Sequence, residues 1–305
     1  MFTEKSEFQK KLQKIFSDRL LVNESMKNHT TFHIGGQADF IVNPASIEEI
    51  RQAFFLANEF YVPVTVLGNG SNILVSDKGI SGLVICFDAS FSRILQKENT
   101  LLVQSGAILG AVSAFAAQHS LSGMEFAVGI PGSIGGAVFM NAGAYDGEMK
   151  NVIKGVTALT KNGEIKHYNA EELDLGYRHS IFQENEEIIC ETELELNYGE
   201  QVLIKEKMAG FTERRIQKQP LEFPSAGSTF KRPQGFFAGT LIEQAGLKGF
   251  SVGGAQVSEK HAGFIVNRGS ASANDVLNLI SNVQKVVFDK FSVKLEPEIK
   301  IIGIK

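Results

Sequence analysis

The feature that most restricts the fold of this chain is a glycine-rich segment, LGNGSNILVSD, at residues 67–77. The preceding residues VPVTVL (62–67) predict a buried strand. The residues ILVS that follow the glycines are apolar and partly β-branched, which predicts a second strand rather than a helix. A Rossmann dinucleotide loop requires a helix at that place, and a P-loop requires a lysine after its glycines. The sequence therefore argues against both of these nucleotide-binding classes.

A loop of this composition can still bind phosphate through its own backbone. Gly68 and Gly70 allow positive φ angles and a close approach of the backbone, and Ser71 and Asn72 add side-chain donors. A second segment of the same kind, GIPGSIGGAVFMNAGAYDG at 129–147, has six glycines in nineteen residues. The two segments form either the two walls of a phosphate site or two tight turns between strands, and their spacing leaves both interpretations open.

Composition narrows the function classes. A chain of 305 residues predicts about two domains. Its net charge of −4 argues against a nucleic-acid partner or an anionic membrane surface. Cys86 and Cys190 lie in strand-like segments, which predicts no disulfide and a reducing, cytoplasmic location. The charged N-terminal residues predict no signal peptide, and no apolar stretch is long enough to predict membrane insertion.

Local patterns predict helices and strands around the two segments. Ser46 and Glu49 have capping-box spacing at the start of a predicted helix. Asn162 and Gly163 predict the turn of a hairpin. The helices are predicted at 46–60, 107–119, 201–219 and 273–291, the hairpin at 156–168, and further strands at 187–196 and in the closing KLEPEIKIIG. A change in composition predicts a domain boundary near residue 200.

Six motifs occur in an order that matches a known family: HTTFHIGGQADF, LGNGSNILVSD, GIPGSIGGAVFMNAGAYDGE, YRHSIF, SAGSTFKRP and LEPEIK. Over about residues 28–303 the chain resembles the UDP-N-acetylenolpyruvoylglucosamine reductase family, in its shorter, type II form. The resemblance implies an α+β fold. An FAD-binding domain of the vanillyl-alcohol-oxidase (PCMH) type, with two α+β subdomains, would occupy 1–200. A smaller α+β substrate-binding domain would occupy 201–305.

The family reaction reduces the enolpyruvyl ether of UDP-N-acetylglucosamine to UDP-N-acetylmuramate for peptidoglycan synthesis. The resemblance implies that hydride passes from NADPH to FAD and then to the substrate. Residues 67–72 contain no histidine, so we expect noncovalent FAD. The implied FAD-binding residues are Leu67, Gly68, Asn69, Gly70, Ser71, Asn72, Gly129, Ile130, Gly132, Ser133, Gly135, Gly136 and Ala137. A monomer is the expected oligomeric state.

The same resemblance implies three catalytic residues. Ser228 in SAGSTF aligns with the proton donor, and Arg178 in YRHS aligns with the group that holds the substrate carboxylate. Glu298, the second acid of LEPE, aligns with the remaining catalytic group. If these residues did not lie within the motifs, Ser228 would be interpreted as a turn serine, Arg178 as a surface arginine and Glu298 as a solvated glutamate.

Cations for the diphosphate of the substrate are expected between residues 205 and 232, where seven Lys or Arg residues accompany three Glu residues. The candidates are Arg214, Lys218, Lys231 and Arg232. Of these, Arg232 follows the serine motif most closely, although an asparagine takes its place in the longer form of the family. The alternative is a helix with a solvated basic face.

Other chemistries have less support. His29 and His33 have helical zinc-site spacing, but the threonines between them and Gly35-Gly36 argue against a helix, so we expect no metal site. GSIGG lacks the spacing of a nucleophile elbow. Two alternatives to the reductase stay open: an FAD-dependent oxidase of a small hydroxy compound, and a nucleotide-binding module without catalysis.

Overall fold

We describe the fold from a computed structural model, which describes residues 2–304, with side chains from residue 5 onward. Its internal contacts divide the chain into two compact units. Unit 1 comprises residues up to Val22, Phe40–Asn69 and Gly82–Arg214, and unit 2 comprises Asn23–Asp39, Gly70–Ser81 and the residues from Arg215 onward. Unit 2 thus includes two early segments that the sequence analysis did not predict for it. The boundary near residue 200 stays a prediction.

Helices and strands alternate along the described residues. The α-helices are α1 (Phe2–Phe16), α2 (Ile47–Glu59), α3 (Leu109–Gln118), α4 (Ile134–Phe139), α5 (Phe182–Asn185), α6 (Gln201–Lys218), α7 (Ala238–Gln244) and α8 (Ala273–Phe291). The strands are β1 (Leu20–Ser25), β2 (Gln37–Val42), β3 (Val64–Leu67), β4 (Ile73–Val75), β5 (Ile80–Cys86), β6 (Ile94–Lys97), β7 (Thr100–Gln104), β8 (Leu121–Ser122), β9 (Gly143–Ala144), β10 (Gly147–Glu148), β11 (Ile153–Leu159), β12 (Ile165–Asn169), β13 (Ile188–Glu195), β14 (Asn197–Tyr198), β15 (Ser225–Ser228), β16 (Ser251–Val252), β17 (Ala255–Val257), β18 (Phe264–Asn267) and β19 (Lys300–Ile302).

The predicted helices and the predicted hairpin are confirmed. The Ser46 hydroxyl accepts a hydrogen bond from the Glu49 amide at the start of α2, but the Glu49 carboxylate accepts from the Ala45 amide and pairs with Arg19. Only the forward half of the predicted capping box therefore forms. In the hairpin β11–β12 the turn glycine Gly163 has a φ of 76°, as the Asn-Gly pair predicts.

Unit 1 contains most of one larger sheet and the whole of a second. One has the strand order β1-β2-β5-β3, and the other is antiparallel with the order β12-β11-β13-β7-β6. Two separate hydrophobic cores accompany them. One is centred on phenylalanines of α1, β2 and the following segments, and the other on α3, α4 and the antiparallel sheet. Two cores in one unit agree with the predicted pair of α+β subdomains.

The strand before the first glycine segment is less buried than predicted. β3 forms at the expected place, but of its four residues only Leu67 is buried, and Val66 is 41% exposed. The prediction of a buried strand was therefore wrong on burial. The reason is its position, because β3 is the edge strand of its sheet and its outer side has no neighbouring strand.

Unit 2 is built from an antiparallel sheet, a short parallel pair and two helices. The sheet has the order β15-β18-β17-β16, and β19 pairs with β4 in parallel. Helix α8 packs its apolar face into the core of this unit. The predicted closing strand is confirmed but short, since regular pairing begins only at Lys300.

Two side chains cap helix α8. Ser272 and Asp275 form a complete capping box. In addition, the Asp77 carboxylate accepts hydrogen bonds from the amides of Ala273 (2.8 Å) and Asn274 (3.0 Å). The last residue of the first glycine segment thus fixes the start of the longest helix of unit 2.

Two further predictions concern the whole chain. Cys86 and Cys190 are both buried free thiols, so no disulfide joins them. Burial raises the pKa of each thiol to about 12. Among the described residues, no helix is both long enough and apolar enough to cross a membrane.

Candidate active site

The first glycine segment turns sharply between two strands. Leu67 ends β3, the chain turns over Gly68 to Asn72, and β4 begins at Ile73, so the predicted strand after the glycines is confirmed. Gly70 has a φ of 60°, and a Cβ there would overlap the carbonyl of His29. The loop needs glycine at this position for both reasons.

The second glycine segment leads into a short helix. Gly129 ends a 3₁₀ turn, the chain extends through Gly132, and α4 begins after Ser133. The backbone of this segment is held by three hydrogen bonds, from the Leu109 amide to Gly132, from the Ile134 amide to Ala107 and from the Gly135 amide to Ser105. Ile130 packs against the core, and Ala137 is buried in it.

The two segments meet within unit 1. The Asn69 side-chain amide donates to the carbonyl of Pro131 at 2.5 Å. A Cβ on Gly68 would overlap the Ser133 hydroxyl, and a Cβ on Gly136 would lie 3.6 Å from the same atom. The structure therefore brings together four of the residues predicted to bind FAD.

The contact between the two segments has the chemistry that a flavin nucleotide needs. The Ser133 hydroxyl is buried and has no hydrogen-bond partner among the described residues. A buried hydroxyl without a partner is costly unless a ligand satisfies it. Glycines on both sides leave the backbone open to close approach. The residues present therefore fit a nucleotide cofactor such as the expected FAD.

The predicted proton donor and Glu298 are neighbours in unit 2. Ser228 ends β15 opposite Phe264, and the segment after it runs antiparallel to residues 296–298. The Glu298 amide donates to the Thr229 carbonyl at 2.8 Å, and the Lys231 amide donates to the Glu296 carbonyl at 2.8 Å. Both Ser228 and Glu298 are half-buried, so each backbone is fixed while the side chains stay accessible.

Asn72, from the first glycine segment, joins the same place. Its carbonyl accepts from the Lys300 amide at 2.9 Å, and its side-chain amide lies 3.4 Å from the Glu298 carbonyl. Burial and the neighbouring Lys231 both lower the pKa of Lys300. The structure thus brings together one predicted FAD-binding residue, two predicted catalytic residues and two lysines.

Arg178 lies in unit 1, at a tight turn. Gly176 and His179 exchange backbone hydrogen bonds across this turn, and Arg178 has a φ of 56°. Its guanidinium lies 5.2 Å from the ring centroid of Tyr177 and 3.5 Å from the Gly143 carbonyl. Gly143 belongs to the second glycine-rich span.

The four predicted diphosphate ligands belong to two segments, with Arg214 and Lys218 one turn apart on α6 and Lys231 and Arg232 consecutive after β15. Arg214 lies on α6 in unit 1, whereas Lys218, Lys231 and Arg232 belong to unit 2. Of the residues of α6, only Ile204 is buried, so the alternative of a solvated basic face stays open for Arg214 and Lys218. The Arg232 guanidinium lies 4.0 Å from the ring centroid of Phe237.

The sequence analysis missed a histidine that is connected to the Ser228 segment through Gly263 and Thr229. His261 lies in the turn before β18, where its Nδ1 accepts from the Gly263 amide, and the Gly263 carbonyl accepts from the Thr229 amide. Burial lowers the pKa of His261, and the nearby Lys248 and Lys218 lower it further. No local pattern indicated this residue, because only the sheet pairing brings it near Ser228.

Comparison with known proteins decides the family. Residues 219–302 match the model of the UDP-N-acetylenolpyruvoylglucosamine reductase C-terminal domain, and residues 38–169 match that of an FAD binding domain. A UDP-N-acetylenolpyruvoylglucosamine reductase of Clostridium perfringens (strain SM101 / Type A) is 52% identical over 298 residues, which are 97% of this chain and 98% of the relative. The chain belongs to the UDP-N-acetylenolpyruvoylglucosamine reductase family.

Other members of the reductase family agree. The reductase of Agathobacter rectalis is 53% identical over 296 residues, covering 93% of this chain and 94% of its own length. The crystal structure of the reductase from Thermus caldophilus superposes with a TM-score of 0.80 at 36% identity, covering 92% of this chain and 97% of that one. The predicted α+β fold, with an FAD-binding domain and a C-terminal domain of the reductase family, is confirmed.

Proposed function

We propose that this chain reduces UDP-N-acetylenolpyruvoylglucosamine to UDP-N-acetylmuramate, with NADPH as hydride donor and noncovalent FAD as cofactor. The observation that supports this function is the identity of about half of all positions with named reductases over nearly the whole chain. The reaction belongs to peptidoglycan precursor synthesis, and through it to cell-wall formation, cell shape and division.

When bound, FAD would supply the redox chemistry, which is the transfer of hydride from NADPH to the methylene carbon of the substrate. The protein must orient the substrate and stabilise the negative charge that develops next to its carboxylate. Arg178 is the proposed group for this role, because a guanidinium stays charged and binds a carboxylate through two parallel hydrogen bonds.

Ser228 is the proposed proton donor. Its hydroxyl would deliver the proton to the substrate carbon that bears the ether oxygen. A serine is a weak acid, but an enolate is basic enough to take its proton. Glu298 is the proposed third catalytic group, because its backbone is fixed beside Thr229, the residue that follows Ser228. A carboxyl group assists an enolate only when it is protonated or paired.

Binding of the substrate diphosphate is assigned to basic residues of the C-terminal part. Lys231 and Arg232 follow Ser228 by three and four residues in the same segment, which favours them over Arg214 and Lys218. Lys231 also faces Lys300, and two adjacent cations attract an anion more strongly than either does alone. The exact contacts of the diphosphate are part of this proposal.

The oxidase alternative has no observation in its favour, because the C-terminal residues match the reductase family. A cytoplasmic location remains part of the proposal and is supported by the two free thiols. A monomer remains the expected oligomeric state.

An anaerobic visible spectrum tests the function. The purified protein is recorded alone, after NADPH, and after the enolpyruvyl ether. We expect a flavin spectrum that bleaches with NADPH and returns with the ether. Bleaching without return would reject the substrate, and absence of flavin absorbance after added FAD would reject the cofactor. Rapid peroxide formation in air with an alcohol and no NADPH would favour an oxidase instead.

A further inference from the structure

The backbone of Arg178 has a conformation that needs support from its surroundings. Arg178 is the third residue of the turn from Gly176 to His179, and its φ is 56°. Tight turns with a positive φ at this position usually have glycine or asparagine there. Residues with long side chains are uncommon in this region, and they are enriched at functional sites. The exposed Glu98 and Glu186 also have positive φ angles, so the contacts around Arg178 matter more than its φ alone.

One side-chain amide fixes the carbonyl end of Arg178. Gln183 Nε2 donates to the Arg178 carbonyl oxygen and to the Phe139 carbonyl oxygen, both at 2.9 Å. The Ser180 hydroxyl donates to the same Phe139 carbonyl at 2.8 Å. Phe139 is the last residue of α4, the helix within the second glycine segment. Gln183 therefore joins the peptide of Arg178 to that helix.

A second amide fixes the start of the turn. Asn141 is 1% exposed, and its side-chain amide donates to the Gly176 carbonyl at 2.9 Å, while its side-chain oxygen accepts from the Lys150 amide at 2.9 Å. Asn141 also contacts Glu148 at 3.1 Å, so its side chain is deeply embedded. Replacing Asn141 would disturb packing, whereas Gln183 is half-buried and offers a cleaner test.

The remaining contacts of the turn are weaker. His179 Nε2 lies 3.1 Å from Asp174 Oδ2 and 3.6 Å from Glu184 Oε1, and both carboxylates are largely exposed. Exposed ion pairs add little because water screens them. The amide hydrogen bond of Gln183 acts directly on the backbone of Arg178 and is the stronger restraint.

We propose that Gln183 is a positioning residue for the reduction, which holds Arg178 in its left-handed conformation and so aims the guanidinium at the substrate carboxylate. This inference rests on the proposed function of Arg178. Gln183 itself touches neither substrate nor cofactor in this assignment. It acts by restricting where the guanidinium points, and misplacement by about 1 Å is enough to cost about 10²-fold in rate.

The test replaces the donor without changing its size. Gln183→Glu loses the amide protons and places a carboxylate beside two carbonyl oxygens, and Gln183→Met removes the donor without adding charge. Gln96→Glu is the matched control, because Gln96 Nε2 donates to the Glu98 carbonyl at 2.9 Å on an exposed strand. Each holoenzyme is compared with wild type in unfolding temperature, ligand affinity and the two half-reactions.

Calorimetry without turnover gives the first readout. We expect both Gln183 variants to bind UDP-N-acetylmuramate, which has the carboxylate, about 10-fold more weakly than wild type. UDP-N-acetylglucosamine, which lacks that carboxylate, should bind all proteins equally. Equal loss for both ligands would indicate a merely structural role and would overturn the proposal.

Kinetics give the second readout. Reduction by NADPH should keep its rate in the Gln183 variants, while reoxidation by the enolpyruvyl ether should slow by about 10- to 100-fold. In an Arg178→Ala background, Gln183→Glu should have no further effect, because it acts through Arg178. The same additional loss in that background would overturn the proposal. If Arg178→Ala slows reoxidation but the Gln183 variants keep the wild-type rate, only the positioning role is overturned. If Arg178→Ala itself keeps the wild-type rate, the assignment of Arg178 is overturned as well.

Discussion

Ser228 and Glu298 become neighbours only because two segments of unit 2 pair as antiparallel strands around Thr229. At the scale of the residue, this pairing fixes each backbone and leaves each side chain half-buried. The arrangement supports the proposed division of roles, in which one residue supplies a proton and others stabilise charge.

Replacing Ser228 by alanine separates these roles. Reduction by NADPH should continue at a near-normal rate in Ser228→Ala, while the second half-reaction should slow by at least about 10²-fold, the usual contribution of a general acid. Stopped-flow absorbance of each half-reaction measures both rates. Ser281→Ala, on the exposed face of α8, is the control. Equal slowing of both halves would assign Ser228 a structural role.

The charge of Arg178 is not its whole contribution. Arg178→Lys keeps the charge but cannot reproduce two parallel hydrogen bonds to a carboxylate. We expect kcat/KM for the enolpyruvyl ether to fall by about 10-fold or more, the effect of losing a charged hydrogen bond worth about 1.5–3 kcal/mol. Steady-state kinetics beside Arg93→Lys, an exposed position, measure this effect. Turnover at the wild-type level would remove Arg178 from the mechanism.

At the scale of the element, two residues of the first glycine segment, Asn72 and Asp77, make separate contacts within unit 2. The carbonyl and side chain of Asn72 contact the residues around Glu298, and Asp77, the last residue of the segment, caps α8. A carboxylate at a helix N-terminus satisfies free amides and also interacts favourably with the helix dipole. The motif therefore supports the helix as well as the site.

Removing this cap should cost stability. Asp77→Ala leaves the amides of Ala273 and Asn274 without their acceptor, and we expect a loss of about 1–2 kcal/mol in the free energy of unfolding. Asp77→Asn, which keeps one acceptor oxygen, should lose less. Urea unfolding followed by circular dichroism measures both, with Asp289→Ala near the other end of α8 as the control. An unchanged midpoint for Asp77→Ala would show that Ser272 caps the helix alone.

At the scale of the whole molecule, the cofactor and the fold are linked. A ligand that binds the folded chain alone stabilises it, by about 2.7 kcal/mol when its concentration is 100 times the dissociation constant. Added FAD should therefore raise the unfolding temperature of flavin-free protein. Differential scanning calorimetry at several FAD concentrations measures the shift.

Gly68→Ala should abolish most of this shift, because its Cβ would overlap the Ser133 hydroxyl where the two segments meet. Gly210→Ala is the control, since a Cβ there has no neighbour within 4 Å and lies on helix α6. An FAD-dependent shift of equal size in Gly68→Ala would place the flavin elsewhere.

Much of the fold followed from local patterns. The predicted range 273–291 is the observed extent of α8, and the helix predicted at 46–60 is observed at Ile47–Glu59. Cap residues, apolar spacing and the Asn-Gly turn act over a few residues, so a single sequence displays them. The predicted burial of β3 was wrong because burial depends on which strand pairs with which, and no local pattern contains that information.

The residues of the candidate site likewise fall into two groups, those that the sequence indicated and those that it did not. The motifs indicated Ser228, Arg178, Glu298 and the glycine segments, through their resemblance to a family. They did not indicate Gln183, Asn141 or His261, because these residues contact the backbone of other segments and follow no recognisable spacing in the sequence.

The sequence by itself determined the local elements, the exclusion of a Rossmann fold and of a P-loop, and the family. The tertiary structure alone decided that Asn69 contacts Pro131, that Asp77 caps α8, that Ser228 lies beside Glu298, and that Gln183 supports Arg178. Each of these contacts joins positions whose relation depends on how sheets pair and helices pack. Asn69 and Asp77 meet partners 62 and 196 residues away, and even Gln183, five residues from Arg178, depends on the turn between them, so spacing along the sequence does not reveal these contacts.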